Sequence, residues 1–327
     1  MNAWLGRIRG AVQRNRPSRK PQLWEDLPLA CWRRVVFELG RRKASSWLDE
    51  AHNVALSGVG FGDGSPPPRM IVVPREMINQ TLFLYGTFEI SETRLVQALL
   101  TPGMTFLDIG ANIGYYTVIA ARLVGESGAV HAFEPHPAVR ARLEDNVGRN
   151  GYRNVAVHAQ AVAATSGSIS FYASTVDQNQ GISSILPGRG REQALSVPSI
   201  TLDEFAASLA GKRIDVIKMD VEGAEPQVIA GGQRTLAGQD APAIIFEATE
   251  LGAVGEALRA AGYHIRRLHY TLGEGLQLPD ANVPFDDIFK DYEAPNYFAA
   301  KDEALFDTVV ARANGARSPM KRLLGRI

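Results

Sequence analysis

From residue 104 to about residue 250 the sequence repeats one pattern, a short apolar run and a turn followed by a longer stretch with apolar residues at helical spacing. The runs "MTFLDI", "AVHAFE", "VAVHAQAV", "DVIKMD" and "AIIFEA" are bounded by turn residues, as strands buried on both faces are. Between them "YYTVIAARLV", "HPAVRARLEDNVGRN", "TLDEFAASLA" and "AEPQVIAGGQRTLA" read as helices, and Thr201 followed by Glu204 has capping-box spacing. Such alternation predicts an α/β fold with an open, doubly wound, mostly parallel sheet and a ligand at the carboxyl ends of its strands.

The flanks read differently. Residues 1–80 are expected to form a helical accessory region, 81–270 the α/β domain and 271–327 a C-terminal extension. "LACWRRVVFELGRRKASSWLDEA" has helical spacing, and "GVGFGDGSPPPR" then breaks the chain. "MIVV" and "TLFLY" read as short strands, and "ISETRLVQALL" as an amphipathic helix capped near Ser91. A hairpin is expected near "GSISFYAS", followed by a polar loop from Thr175 to about Gln193 that faces either the acceptor or solvent. "YHIRRLHY" reads as a further strand.

Charge excludes some classes of partner. Lys plus Arg and Asp plus Glu are 35 each, so no global field favours nucleic acid. Both ends are basic: Arg7, Arg9, Arg14, Arg16, Arg19 and Lys20 at one, Lys321, Arg322 and Arg326 at the other. They suit either peripheral contact with an anionic membrane surface or plain solvated termini. The single cysteine, Cys31, excludes an intramolecular disulfide. No apolar run has the roughly 18 to 20 residues of a membrane span, and the N-terminus lacks a signal-peptide core, so a cytoplasmic location is expected, with the inner membrane surface as the alternative.

The stretch "FLDIGANIGYYT" turns on Gly110 and Gly114, with Asp108 before the turn and Asn112 within it. Glycines there permit unusual dihedrals and close approach of a ligand to the backbone, and the helix start supplies free N–H donors. Glu134 ends the next apolar run, where a carboxylate accepts from both ribose hydroxyls. Dinucleotide sites use G-x-G-x-x-G to seat a pyrophosphate. Here the spacing is G-x-x-x-G, and an acid precedes it. Asp108 would repel a pyrophosphate but favour the ammonium group of a methionine moiety, so the pattern leans towards S-adenosylmethionine. The plainer account is a tight strand-to-helix turn in which Asp108 helps to cap the helix.

"LDIGANIGYYT", "AFEPHP", "DNVGRNG", "IDVIKMDVEGAE" and "IIFEA" stand in the order and spacing of the FkbM-type methyltransferase family, and "YGTFE" resembles the segment upstream of its core. The resemblance implies a Rossmann-like sheet of the class I methyltransferase type, S-adenosylmethionine as donor, and a hydroxyl acceptor on a sugar, glycolipid or polyketide-like metabolite. By motif, Asp108, Gly110, Asn112, Gly114 and Thr117 would surround the methionine part and Glu134 the ribose. "HAQAV" lacks the acid that many related enzymes place near adenine, so Gln160, Ala161 or Val162 would serve through amide or backbone groups.

Methyl transfer to oxygen needs an acceptor held in line and a group to take its proton. "IKMDVEGAE" places Lys218 and Asp220 on one face at the carboxyl end of a strand, followed by Glu222 and Glu225, and Glu247 ends the neighbouring strand. Asp220 or Glu222 is expected to position or deprotonate the acceptor, with Lys218 balancing charge. A structural ion pair is the competing account. Hard oxygen ligands leave Mg2+ open, although the scattered histidines show no metal spacing. Two rival functions are a nicotinamide-dependent oxidoreductase and a non-catalytic, membrane-associated scaffold that keeps the cofactor pocket.

Overall fold

In the computed structural model the chain enters through β1 (His52–Ala55) and β2 (Arg69–Val72), an antiparallel pair. The structure describes residues 49–61, 64–74, 76–173, 184–187, 193–248, 250–271, 274–282 and 295–315. Cys31, both basic ends, nearly all of the first expected helix and most of the loop expected from Thr175 to Gln193 lie outside the described residues.

α1 (Met77–Tyr85) takes the place of the strand expected at "TLFLY". A short apolar run satisfies either period. Here the helix starts before the run, buries Leu82 and Phe83, and ends where Gly86, at φ +65°, returns its N–H to the Leu82 carbonyl. α2 (Ile90–Leu99) follows at once and starts close to Ser91, as expected, but Glu89 holds its N-cap position without a capping side-chain bond, and Ser91 sits inside the helix against Glu92.

The α/β pattern then unrolls as β3 (Thr105–Ile109), α3 (Tyr115–Val124), β4 (Ala129–Phe133), α4 (Pro137–Arg149) and β5 (Val155–His158). The expected single strand "VAVHAQAV" is broken after His158. Its second part, β6 (Ala161–Val162), leaves the main sheet and pairs with β8 (Gln193–Ile200), which also forms an antiparallel ladder with β7 (Gly167–Ala173). α5 (Leu202–Ser208) starts at Thr201, whose hydroxyl accepts the Glu204 N–H at 3.1 Å. β9 (Val216–Met219) is followed by two short helices, α6 (Glu225–Ala230) and α7 (Gln233–Ala237), where one was expected.

β10 (Ala243–Glu247), α8 (Gly252–Ala260) and β11 (His264–Arg267) continue the alternation. The strand expected over "YHIRRLHY" stops at Leu268, because β12 (His269–Thr271) pairs with β13 (Gly275–Gln277) outside the main sheet. β14 (Asn296–Ala300), which the sequence pattern missed, inserts antiparallel between β10 and β11, and α9 (Ala304–Gly315) closes the described chain.

The main sheet has the order β11-β14-β10-β9-β3-β4-β5. Among the described residues only β14 runs against the others, so the sheet is doubly wound and mostly parallel, as the sequence predicts. The strand order reverses direction between β3 and β9, which places a crevice at their carboxyl ends. β3 is buried throughout, and Leu107 and Ile109 pack with Ile217, Met219 and Phe246 in the central core.

The expected boundaries at 80 and 270 do not follow this architecture. Residues Ser46–Ala316 group as one compact unit, and the sheet draws a strand from beyond residue 270. Asn146 shows how the first segment is joined to the core. Its fully buried amide accepts the Ile71 N–H at 2.7 Å and donates to the Ile113 carbonyl at 2.9 Å, linking β2 to the glycine turn. Among the described residues, no helix is long and apolar enough to cross a membrane.

Candidate active site

The turn after β3 is built by the protein's own close contacts. Gly110 has φ +84°, and a Cβ there would come within 1.9 Å of the Asp220 carbonyl oxygen. Gly114, at φ +89°, leaves room for Leu143 of α4, whose Cδ1 would lie 2.5 Å from an added Cβ. Asn112, between them, is held at φ +50°. Gly110 and Ala111 both donate their N–H groups to the Phe133 carbonyl, at 3.1 and 3.0 Å. The small side chains therefore serve chain-to-chain contact first, while Gly110 and Asn112 also line a cleft at the switch point.

Glu134 forms the cleft's polar wall. Its Oε2 accepts the Asn112 N–H at 3.0 Å and its Oε1 the His136 N–H at 2.8 Å, so both oxygens are oriented by backbone. Burial pushes its pKa up to about 7, against the pull of those two N–H groups and Arg140. Each carboxylate oxygen keeps a second lone pair for a guest. His136 itself accepts from the Val139 N–H at 3.4 Å as the cap of α4. Ala161, Gln160 and Phe171 line the cleft from the small-sheet side, where Ala161 and Phe171 pack with Val197. Ser184 and Ile185 add to this wall, with the Ser184 hydroxyl donating to the Val221 carbonyl at 3.0 Å.

Asp108, Thr117 and Lys218 lie behind the turn and do not line the cleft. The Thr117 hydroxyl donates to Asp108 Oδ2 at 2.5 Å. Burial raises the Asp108 pKa, with Lys218 opposing the shift. Asp108 and Lys218 are register partners on β3 and β9, which puts them on the same sheet face. Lys218 Nζ reaches Asp220 Oδ2 at 3.1 Å and stands 4.5 Å from the centre of the Tyr116 ring. Burial works against its charge, but Asp220, Glu89 and Asp108 overcome that and hold its pKa above the usual value. The ion pair that competed with a chemical role at the sequence level is thus present.

Of the acids, Asp220 and Glu222 line the cleft, with Glu222 at φ +55°. Glu247 joins them electrostatically: burial, then Asp220 and Glu222, push its pKa up to about 8. Glu225 turns back to accept the Val221 and Gly223 N–H groups at 3.1 and 3.4 Å, which fixes the turn after β9. Among the described residues no group of three His, Cys, Asp or Glu side chains is arranged to hold a metal.

One acid escaped the sequence reading. Glu89 ends "YGTFE" at φ +40°, and its Oε2 accepts the Tyr116 hydroxyl at 2.7 Å. Burial, then Glu92, raise its pKa well above the usual carboxylate range, with Lys218 pulling the other way. The available signal was a lone acid just after a glycine turn, and nothing local links it to a lysine so far along the chain.

The family model of the methyltransferase FkbM domain matches residues 108–266, from Asp108 on β3 to Arg266 on β11. Residues 108–266 are a methyltransferase FkbM domain. The match takes in the glycine turn, Glu134, Ala161 and the Lys218–Glu222 segment, but stops short of Glu89 and β14. Among curated relatives, the 2-O-methyltransferase NoeI of Sinorhizobium fredii is 30% identical over 157 residues, covering 44% of this chain and 63% of that protein. The hexuronic acid methyltransferase AglP of Haloferax volcanii is 31% identical over 124 residues, 38% of this chain and 48% of that one. The chain spans less than two thirds of the length of these relatives. A solved FkbM methyltransferase from Methylobacillus flagellatus shares 16% identity with a TM-score of 0.41, over 69% of this chain and 56% of that one. At that distance the likeness says nothing about this site.

Proposed function

We propose that this protein is an S-adenosylmethionine-dependent O-methyltransferase acting on a hydroxyl of a sugar, glycolipid or related metabolite. The observation that carries the reading is Glu134, a buried carboxylate at the end of β4 whose two oxygens are aimed by backbone into a cleft bounded by the glycine turn. That arrangement fits a ribose, and the G-x-x-x-G turn with Asp108 behind it suits a cationic methionine end better than a pyrophosphate. The names of the relatives favour a sugar hydroxyl as acceptor.

Glu134 and Asn112 would hold the ribose side, Gly110 would admit the ligand to the crevice, and Ala161 would offer backbone groups near the base. Asp108, Thr117 and Gly114 support that turn from behind. When bound, S-adenosylmethionine supplies an electrophilic methyl group. The chain's own task is then to exclude water, hold the acceptor oxygen in line and take its proton. Asp220 is the group proposed for this, a role supported by its free oxygen: Lys218 occupies one of its oxygens, and the other has no hydrogen-bond partner among the described residues. Glu222 lines the same wall, and Lys218 balances the local charge.

Titration calorimetry with S-adenosylmethionine and, separately, NAD tests the cofactor. Binding of S-adenosylmethionine alone is expected, whereas binding of NAD instead would favour an oxidoreductase. Release of S-adenosylhomocysteine on incubation with a pool of glycans and glycolipids tests the reaction, and a scaffold would give none above background. Asp220→Asn and Glu222→Gln should each lower turnover by about a hundredfold with cofactor binding intact. Full turnover in both would remove these residues from the mechanism.

A further inference from the structure

The cleft at the switch point is lined by charge of one sign. Among the described residues its ionisable lining is Glu134, Asp220 and Glu222, with no lysine, arginine or histidine beside them. Lys218 stands behind this wall, 5% exposed, with its ammonium 3.1 Å from Asp220 Oδ2. Arg140 serves the β4 side, where its guanidinium donates to the Glu134 and Pro135 carbonyls at 3.3 and 3.2 Å.

Ionised carboxylates accept hydrogen bonds and donate none. A wall made of them suits a guest rich in donors, such as the hydroxyls of a sugar ring, and offers nothing to a carboxylate or phosphate. Glu247 shows what this wall does to a neighbouring acid. It ends β10, the strand beside β9, and burial, then Asp220 and Glu222, push its pKa up to about 8 against the pull of Lys218. Leu186 adds an apolar element on the same side. It is 36% exposed, and its Cδ1 lies 4.0 Å from where a Cβ on Gly223 would stand, one residue past Glu222. Ser184, which is buried, fixes that segment: its hydroxyl donates to the Val221 carbonyl at 3.0 Å and accepts the Leu186 N–H at 3.2 Å. An apolar side chain beside hydrogen-bond acceptors matches a pyranose, which has a C–H face together with hydroxyl donors.

We infer that the acceptor is a sugar whose reacting ring carries no anionic group, with hydroxyls towards Asp220 and Glu222 and a C–H face towards Leu186, and that rings bearing a carboxylate or phosphate are turned away by charge. This rests on the O-methyltransferase reading above and narrows it. A cleft lined by one sign of charge between low-dielectric walls focuses its field, so an anion is disfavoured both on approach and once seated.

The test measures S-adenosylhomocysteine release with a mixed glycan pool split by anion exchange into an unretained and an acidic fraction, at equal total sugar. The unretained fraction should turn over at least about tenfold faster. That ratio should narrow by about threefold or more in Glu222→Gln, which removes one charge from the wall, and also in the wild type when salt is raised from about 20 to about 200 mM. The salt series keeps the test independent of how well the variant folds. Equal or faster turnover of the acidic fraction, or a ratio that responds to neither change, would overturn the charge selection and leave the O-methyltransferase reading standing. Release with neither fraction would overturn the sugar acceptor together with this inference, and calorimetry with S-adenosylmethionine would then show whether the methyl donor stands.

Discussion

Gly110 and Asp220 approach so closely that a Cβ on the glycine would lie 1.9 Å from the aspartate's carbonyl oxygen. That oxygen belongs to backbone just past β9, and the Asp220 N–H is itself bonded to the Ile109 carbonyl at 3.0 Å, so it has nowhere to go. Gly110→Ala should therefore part β3 from β9 at the switch point and add left-handed strain, costing about 3 kcal/mol or more. Gly114→Ala meets only the far end of Leu143, which can swing aside, so about 1–2 kcal/mol is expected, mostly from its positive φ. Urea titration of both variants checks the ranking. Equal losses would show that the close approach is not what fixes Gly110.

The contrast between these glycines also shows what the sequence could reveal. Strand, turn and helix from Phe106 to Thr117 are local, and their pattern alone places Asp108, Glu134 and the core strands where the structure has them. "TLFLY" was ambiguous because a short apolar run fits two periods, and length decided for the helix. β14 was hidden because its five residues carry no alternation and their partners, Phe246 and Ile265 among them, lie in earlier strands. Glu89 was hidden for the same kind of reason. Its meaning depends on Tyr116 and Lys218, which only the folded chain brings near it.

Tyr115 and Tyr116 are neighbours with separable tasks. The Tyr115 hydroxyl is an acceptor for the Phe88 N–H and lies 2.9 Å from the Thr93 hydroxyl, so it stitches the loop before α2 to α3. Tyr115→Phe keeps the ring and strands those partners, and a loss of about 1–2 kcal/mol follows. Hydrogen exchange at the Phe88 amide should quicken in Tyr115→Phe but not in Tyr116→Phe, whose lost hydroxyl serves Glu89. Unchanged exchange in the first variant would mean that the loop is held by other contacts.

Glu134 ties stability to pH through its burial. Its carboxyl titrates near 7 in the fold, against an ordinary value of about 4.3 in the unfolded chain. A raised folded pKa means that the fold favours the protonated form. The contribution is fully present below about pH 4.3 and is lost as pH rises through 7, a change on the order of 3 kcal/mol. Glu134→Gln cannot ionise. Its amide keeps an acceptor for one of the Asn112 and His136 N–H groups and turns a donor towards the other, at a fixed cost of about 1 kcal/mol or more. The wild type should accordingly be the more stable protein near pH 4.5, with the gap closing and then reversing towards pH 8. The same ionisation supplies the acceptors proposed for the ribose, so 5′-methylthioadenosine affinity should rise through pH 7 in the wild type and stay flat in the variant. Urea midpoints and calorimetric titrations across that range read both effects. Parallel stability curves for the two proteins would show that the carboxyl titrates at its ordinary pH, and that burial is relieved by solvent reaching it through the cleft.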